Sequence, residues 1–144
     1  MSIFAELREG RGVRTLAETE ALARDLAAAL PEDCVLALQG DLGVGKTTLV
    51  KGLAAAWGVT QTVKSPSFNL VSIYEGTRQL VHVDAYRLEA EDALESLMLE
   101  EFLQSPFCLA VEWPERVRSW LPPETIWLAG ELHPDGTRLF QLVE

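Results

Sequence analysis

The residues Gly40-Asp-Leu-Gly43-Val-Gly45-Lys46-Thr47 fit the spacing G-x-x-x-x-G-K-[ST]. Each residue type has a task in that pattern. The glycines let the backbone fold back so that several N–H groups converge on one anion. The lysine reaches the outer phosphates of a nucleotide, and the hydroxyl after it ligates Mg²⁺. With Gly at about 7% of residues in average proteins, a chance match in a chain of this length is roughly a one-in-200 event. The flanks agree with the motif. The apolar run Val35-Leu-Ala-Leu38 precedes it, and a helical pattern from Thr48 to Trp57 follows. Strand, glycine loop and helix together aim a helix N-terminus at the phosphates. A glycine-rich strand–helix turn with no ligand would need neither Lys46 nor Thr47. Asp41, Gly43, Val44, Gly45, Lys46, Thr47 and Thr48 are therefore expected to hold the nucleotide.

Hydrolysis or transfer also needs an acid near the Mg²⁺ and a group that places the attacking atom. Two apolar runs end in carboxylates: Leu80-Val-His-Val83 leads to Asp84, and Phe107-Cys-Leu-Ala-Val111 leads to Glu112. If both strands lie parallel to the strand before the glycine loop, both acids reach the loop's edge of the sheet. The 107–112 run looks more like a buried central strand than 80–84 does. Glu112 is thus the first choice for the Mg²⁺ hydration shell. Asp84 is the second, for the same shell or for the attacking water. A surface charge or a helix N-cap would use the same two residues. Ser65 and Ser67 lie in a polar loop after the glycine-loop helix. Hydroxyls so placed sense a γ-phosphate in nucleotide switches, although composition alone describes a plain turn. His82, within an alternating strand, reads as structural, and His133 as a solvated turn residue. Trp113 beside Glu112 either covers a site or packs. Tyr86-Arg87 supplies either a cation near phosphate or a surface ion pair.

These residues need a scaffold. Thr15-Leu-Ala-Glu18 is a capping-box pattern opening a helix that carries Leu16, Leu22, Ala23, Leu26 and Leu30 and stops at Pro31. The helix after the glycine loop turns Leu49, Val50, Leu53, Ala54 and Trp57 inward, with Gly58 as its C-terminal cap. Residues 1–14 read as a short strand or arm. Leu70–Tyr74 and Gln79–Val83 read as a hairpin around Glu75-Gly-Thr77. Ala90 to Leu103 reads as a helix, broken by Ser105-Pro106. Pro114 suits the first turn of a short helix over Glu115–Trp120. Thr125–Leu132 and Thr137–Val143 form an end hairpin around His133-Pro-Asp-Gly136. The expected architecture is α/β: one P-loop NTPase-like domain over residues 1–144, without repeats or linkers. Its sheet is mixed and mainly parallel, with helices on both faces and a C-terminal β-hairpin.

Composition bounds the function. The 144 residues are 48% hydrophobic and 24% charged, as in globular proteins. No apolar stretch is long enough to span a bilayer, and the N-terminus does not read as a secretory signal. With Cys34 and Cys108 read as buried free thiols, a cytoplasmic protein is expected. The net charge of −10 argues against an extensive direct grip on a phosphate backbone, so any role with nucleic acid is expected to run through a partner.

Four pieces stand in one order: Gly40 to Thr48, Ser65-Pro-Ser-Phe68, His82-Val-Asp-Ala-Tyr-Arg87 and Glu112-Trp-Pro-Glu115. Together they resemble the bacterial TsaE family, the small ATPase component of tRNA threonylcarbamoyladenosine biosynthesis. The resemblance runs from about Thr15 to the C-terminal hairpin. It implies binding of ATP and Mg²⁺ and ATP hydrolysis that is weak in isolation. It also implies action on a TsaB–TsaD pair, in which TsaD modifies adenosine 37 of tRNA. Lys46 and Thr47 match the family's phosphate lysine and magnesium threonine. Asp84 and Glu112 match its functional acids, and Trp113 matches the tryptophan beside the second. Ser65 to Phe68 matches a switch-like loop that usually reads Ser-Pro-Thr-Phe; here Ser67 keeps the hydroxyl and loses the methyl. Glu18-Thr19 matches a family pair near the nucleotide.

Three other functions use the same loop. A small-molecule kinase would need an acceptor pocket and an arginine-bearing lid; Arg116 and Arg118 imitate one on a short segment. A GTPase would carry Asn-Lys-x-Asp, which is absent from the sequence. A nucleotide-bound docking module would bind ATP with hydrolysis incidental.

Overall fold

Strands that are apolar on both faces belong in the interior of a covered sheet, and the two most apolar runs of this chain lie there. A computed structural model describes residues 2–41, 43–61, 71–87 and 99–143. Helix α1 (Ile3–Glu9) leads into strand β1 (Arg11–Val13), then α2 (Leu16–Ala29), β2 (Asp33–Gln39) and α3 (Lys46–Ala56). Strands β3 (Val71–Tyr74), β4 (Gln79–Asp84), β5 (Phe107–Glu112), β6 (Ile126–Leu132) and β7 (Arg138–Leu142) follow. The strands form one seven-stranded sheet in the order β1-β7-β6-β2-β5-β4-β3. Strands β6, β2, β5 and β4 run parallel to their neighbours in this group. The hairpins β3–β4 and β6–β7, and the pair β1–β7, are antiparallel. The sheet is therefore mixed with a parallel centre, and both expected hairpins are present.

Alternation along the central strands divides the core in two. Leu36, Leu38, Leu80, Cys108, Ala110 and Leu128 face α1, α2 and α3, meeting Leu7, Leu22, Leu26, Leu49, Leu53 and Trp57. Ala37, Val81, Val83, Leu109, Val111 and Trp127 face the other way, against Leu99, Val117 and Leu121. Among the described residues all three α-helices cover one face, and the other is closed by 3₁₀ turns at Leu99–Glu101 and Pro114–Val117. The short helix expected over Glu115–Trp120 is a 3₁₀ turn over Pro114–Val117, with i+3 bonds from the Arg116 N–H to the Trp113 carbonyl and from the Trp120 N–H to the Val117 carbonyl. Of the helix expected over 90–103, residues 90–98 lie outside the described part.

The N-terminus also differs from expectation. Residues 3–9 are helical and only Arg11–Val13 is a strand. Ser2 caps the helix by accepting from the Ala5 N–H at 3.1 Å, and Ile3 and Leu7 are buried one turn apart. A two-turn helix offers a single apolar i, i+4 pair, which is too little for periodicity to show. Thr15 caps α2 as expected, accepting from the Glu18 N–H at 3.1 Å, but Leu16 is left exposed. Helices α2 and α3 pack closely: a Cβ on Gly52 would lie 2.4 Å from the Ala23 Cβ. Arg78 donates to the Leu30 and Pro31 carbonyls, satisfying the C-terminal end of α2. Cys34 and Cys108 are buried free thiols, in register across β2 and β5.

For the site, the register matters most. Leu38 pairs with Glu112, and Glu112 pairs with Asp84. The carboxyl ends of β2, β5 and β4 thus reach one edge together, where open α/β sheets gather ligands.

Candidate functional site

The chain leaves β2 through Gly40, which has φ 140° and lies against β6. A Cβ there would sit 2.6 Å from the Gly130 carbonyl oxygen, so no larger residue fits without moving backbone. Gly45, at φ 100°, is the N-cap of α3. For an L-residue that conformation costs roughly 1–2 kcal/mol. Gly45 has no side chain to cap the helix, so the first N–H groups of α3 are left for an anion.

Lys46 is the first residue of α3 and is 5% exposed. Its Nζ donates to the Gly40 carbonyl at 2.5 Å and lies 4.0 Å from the centroid of the Trp113 ring. Burial pulls its pKa below the usual lysine value, against the pull of Glu112, Glu115, Asp84 and Asp41. A phosphate would add to the support that these acids give the charged form.

Glu112, at the end of β5, is also 5% exposed. Its Oε2 accepts from Thr47 Oγ1 at 3.3 Å and lies 2.5 Å from His82 Nε2. Burial pushes this carboxyl up. The hydrogen bond from His82, the charges of His82 and Lys46, and the Thr47 hydroxyl outweigh it, so the pKa falls below the usual value. Glu112 is therefore an ionised, buried acid. Asp84, half-buried at the end of β4, accepts from the Tyr86 N–H at 3.0 Å, which turns the chain into a 3₁₀ segment. Trp113 is held at φ 58°, a strained backbone for a bulky side chain, which often marks functional sites. Its ring lies 4.9 Å from that of Tyr86 and covers Lys46.

These groups share a cavity of about 330 Å³, lined by Gly43, Gly45, Lys46, Thr47, Thr48, Asp84, Glu112, Trp113 and Arg138. Most residues singled out in the sequence thus meet in one place. Asp41 is exposed beside the loop and does not line the cavity. The Val44 side chain is buried against Gly40 and Gly130. Ser65 and Ser67 lie outside the described residues. Thr19, of the Glu18-Thr19 pair, is buried in α2 and donates to the Thr15 carbonyl at 3.3 Å. Two residues were not legible. Arg138 comes from β7, where it donates through Nε to the Gly43 carbonyl at 3.3 Å; no motif marks it. His82 lies in a strand buried at every position from Gln79 to Val83, not an alternating one, and its Nε2 faces Glu112.

The donor set fits a nucleotide phosphate with Mg²⁺. Uncapped amides and a buried ammonium suit the anion. Thr47 and Glu112 are hard oxygen donors side by side. Among the described residues no three His, Cys, Asp or Glu side chains cluster as a metal cage. Mg²⁺ at nucleotide sites needs none, since phosphates and water complete its shell. No helix among the described residues is long and apolar enough to cross a membrane.

The family model described as threonylcarbamoyl adenosine biosynthesis protein TsaE matches residues 13–139. The tRNA threonylcarbamoyladenosine biosynthesis protein TsaE of Bacillus subtilis is 41% identical over 122 residues, covering 84% of this chain and 76% of that protein. The protein of the same name from Treponema pallidum is 38% identical over 109 residues, covering 76% and 81%. The crystal structure of YdiB from Bacillus subtilis superposes with a TM-score of 0.75 at 33% identity, over 92% of this chain and 82% of the other.

Proposed function

The chain belongs to the TsaE family, and on that premise we propose that it is a Mg²⁺-dependent ATPase supporting the threonylcarbamoyl modification of adenosine 37 in tRNA. The observation that carries this reading is the convergence of the glycine loop, Lys46, Thr47 and Glu112 on one cavity, with Asp84 in register beside Glu112. The glycine loop acts as a P-loop: the amides at the start of α3 and the Lys46 ammonium bind the phosphates. Thr47 and Glu112 would hold Mg²⁺, Glu112 by way of the metal's hydration shell. When bound, Mg²⁺ neutralises charge that develops on the phosphate oxygens. Asp84 orients the attacking water. Trp113 lies over Lys46 and shields the ammonium from solvent, which strengthens its pull on phosphate. Ser65 and Ser67 serve as the switch that senses the γ-phosphate.

The acidic chain acts in the cytoplasm by docking on a TsaB–TsaD pair and touches tRNA only through it. A net charge of −10 supports this, because tRNA repels such a surface. The kinase reading is weaker. Arg116 and Arg118, the candidates for a lid, lie 5.2 Å and 4.2 Å from the rings of Tyr86 and Trp127. The deciding experiment measures ATP hydrolysis with and without a TsaB–TsaD pair from the same source, alongside tRNA modification. Stimulation coupled to modification is expected. An unchanged hydrolysis rate, or a phosphorylated small-molecule acceptor, would reject the proposal. A Glu112→Ala variant that binds ATP without hydrolysing it, yet sustains many rounds of modification, would leave a docking module.

A further inference from the structure

His82 sits in the middle of β4, fully buried between Val81 and Val83 in the chain. Its Nε2 lies 2.5 Å from Glu112 Oε2, the oxygen that also accepts from Thr47 Oγ1 at 3.3 Å. Its other ring nitrogen, Nδ1, is buried and has no hydrogen-bond partner among the described residues. A role in packing alone accounts poorly for this pattern. Leucine or valine would fill an interior strand position without desolvating two ring nitrogens, one of which recovers nothing. A buried histidine placed for the stability of the sheet would normally engage both nitrogens. Among the described residues the imidazole is committed at one point, a carboxylate at the cavity.

The commitment has a geometric consequence. A glutamate side chain has three torsions, so a buried strand position alone does not fix how its carboxylate is turned. With both hydrogen bonds on Oε2, the imidazole and the Thr47 hydroxyl set the plane of the group, and Oε1 takes neither bond. Partners of this kind, one layer behind the reacting or metal-binding group, decide whether it is presented in a usable orientation.

Resting on the reading of Glu112 as an acid of the phosphate site, we propose that His82 is a positioning residue that holds Glu112 Oε2 and so presents the carboxylate to the cavity in one orientation. The test uses the whole chain with substitutions at both positions. His82→Leu removes the donor. His82→Gln restores one, because the glutamine Nε2 reaches about as far along the side chain as the imidazole Nε2. His82→Leu is expected to lower kcat for ATP hydrolysis about 10- to 100-fold. The calorimetric Kd for ATP without Mg²⁺ should stay unchanged. His82→Gln should recover most of the loss. In calorimetry, the gain in ATP affinity on adding Mg²⁺ should shrink in His82→Leu. In a Glu112→Ala background the same substitution should remove nothing further, the non-additivity expected of residues acting as a unit.

Equal losses in the Leu and Gln variants, or a full additional loss in the Glu112→Ala background, would overturn the proposal in favour of a purely structural histidine. If His82→Leu does not fold, His82→Asn takes its place. Its amide falls short of Glu112, so it should behave as a loss of the donor; wild-type kcat in that variant would refute the proposal. Failure of the underlying reading looks different. Glu112→Ala would then itself leave hydrolysis and the Mg²⁺ gain intact. Impairment by Glu112→Ala with wild-type behaviour of His82→Leu would remove the His82 role alone.

Discussion

Replacing Lys46 by methionine tests the phosphate site most directly. Methionine keeps much of the buried stem and removes the ammonium. In the ligand-free protein that ammonium donates to the Gly40 carbonyl at 2.5 Å and lies against the Trp113 ring. Burial already lowers its pKa, so it is poorly solvated, and Glu112, Glu115, Asp84 and Asp41 only partly compensate. Losing the charge therefore removes a desolvation cost while leaving the Gly40 carbonyl without its donor. These effects oppose each other, so the stability of the ligand-free protein should change by no more than about 1 kcal/mol, within the range of an ordinary net hydrogen bond. Nucleotide binding has no such compensation. A charge-assisted hydrogen bond to phosphate contributes roughly 1.5–3 kcal/mol, which corresponds to a Kd about 10- to 150-fold weaker. Calorimetric titration with ATP measures this, with thermal unfolding of the ligand-free variant as the control for folding. Adenosine, which lacks phosphates, should bind wild type and variant alike. An ATP affinity equal to that of the wild type in a folded Lys46→Met variant would refute the assignment of the loop.

Three further outcomes follow from the same geometry. Thr47→Ala should weaken ATP binding in the presence of Mg²⁺ by about tenfold, the scale of one lost ligand or its support, and Mg²⁺-free binding much less; equal losses in both titrations would show that Thr47 does not serve the metal. Glu112 has a folded-state pKa below its ordinary value of 4.5, so its stabilising contribution is present above that value and is lost as pH falls through the lower folded-state pKa. The Tm difference between wild type and Glu112→Gln should therefore shrink on acidification below about pH 4.5, and a difference constant from pH 7 to 3 would contradict the ionised, hydrogen-bonded carboxylate. Gly52→Ala should destabilise the protein by about 1–3 kcal/mol in chemical denaturation, because the new methyl meets Ala23 at 2.4 Å; this outweighs the gain of about 1 kcal/mol in helix propensity, and a stabilised variant would disprove the close α2–α3 contact.

Much of the scaffold was legible because its signals are local. Thr15 and Glu18, Gly58 after α3, and the Pro-Asp-Gly turn at 134–136 each act within a few residues, and each appears where its chemistry predicts. The misreadings have physical causes. Helix α1 is too short to show a period. The segment after Pro114 carries the helix-start signal of a proline but closes with i+3 bonds into a 3₁₀ turn. Strand β4 reads as alternating because His82 is polar, yet it is buried on both faces and the histidine is held by Glu112. Arg138 carried no signal, since one arginine in an alternating strand looks like any solvated charge.

By itself, the sequence determined the parts of the site whose geometry is set within a few residues. A strand, three glycines, a lysine and a threonine in fixed spacing make an anion cradle whatever surrounds them, because backbone conformation at Gly40 and Gly45 depends on the residue type at those positions. Only the tertiary structure decided which distant groups complete it. His82 and Glu112 are 30 residues apart, Thr47 and Glu112 are 65 apart, and Arg138 and Gly43 are 95 apart. They meet because burial of both faces places β5 between β2 and β4. That strand order is a property of the whole core, and no local spacing along the chain contains it.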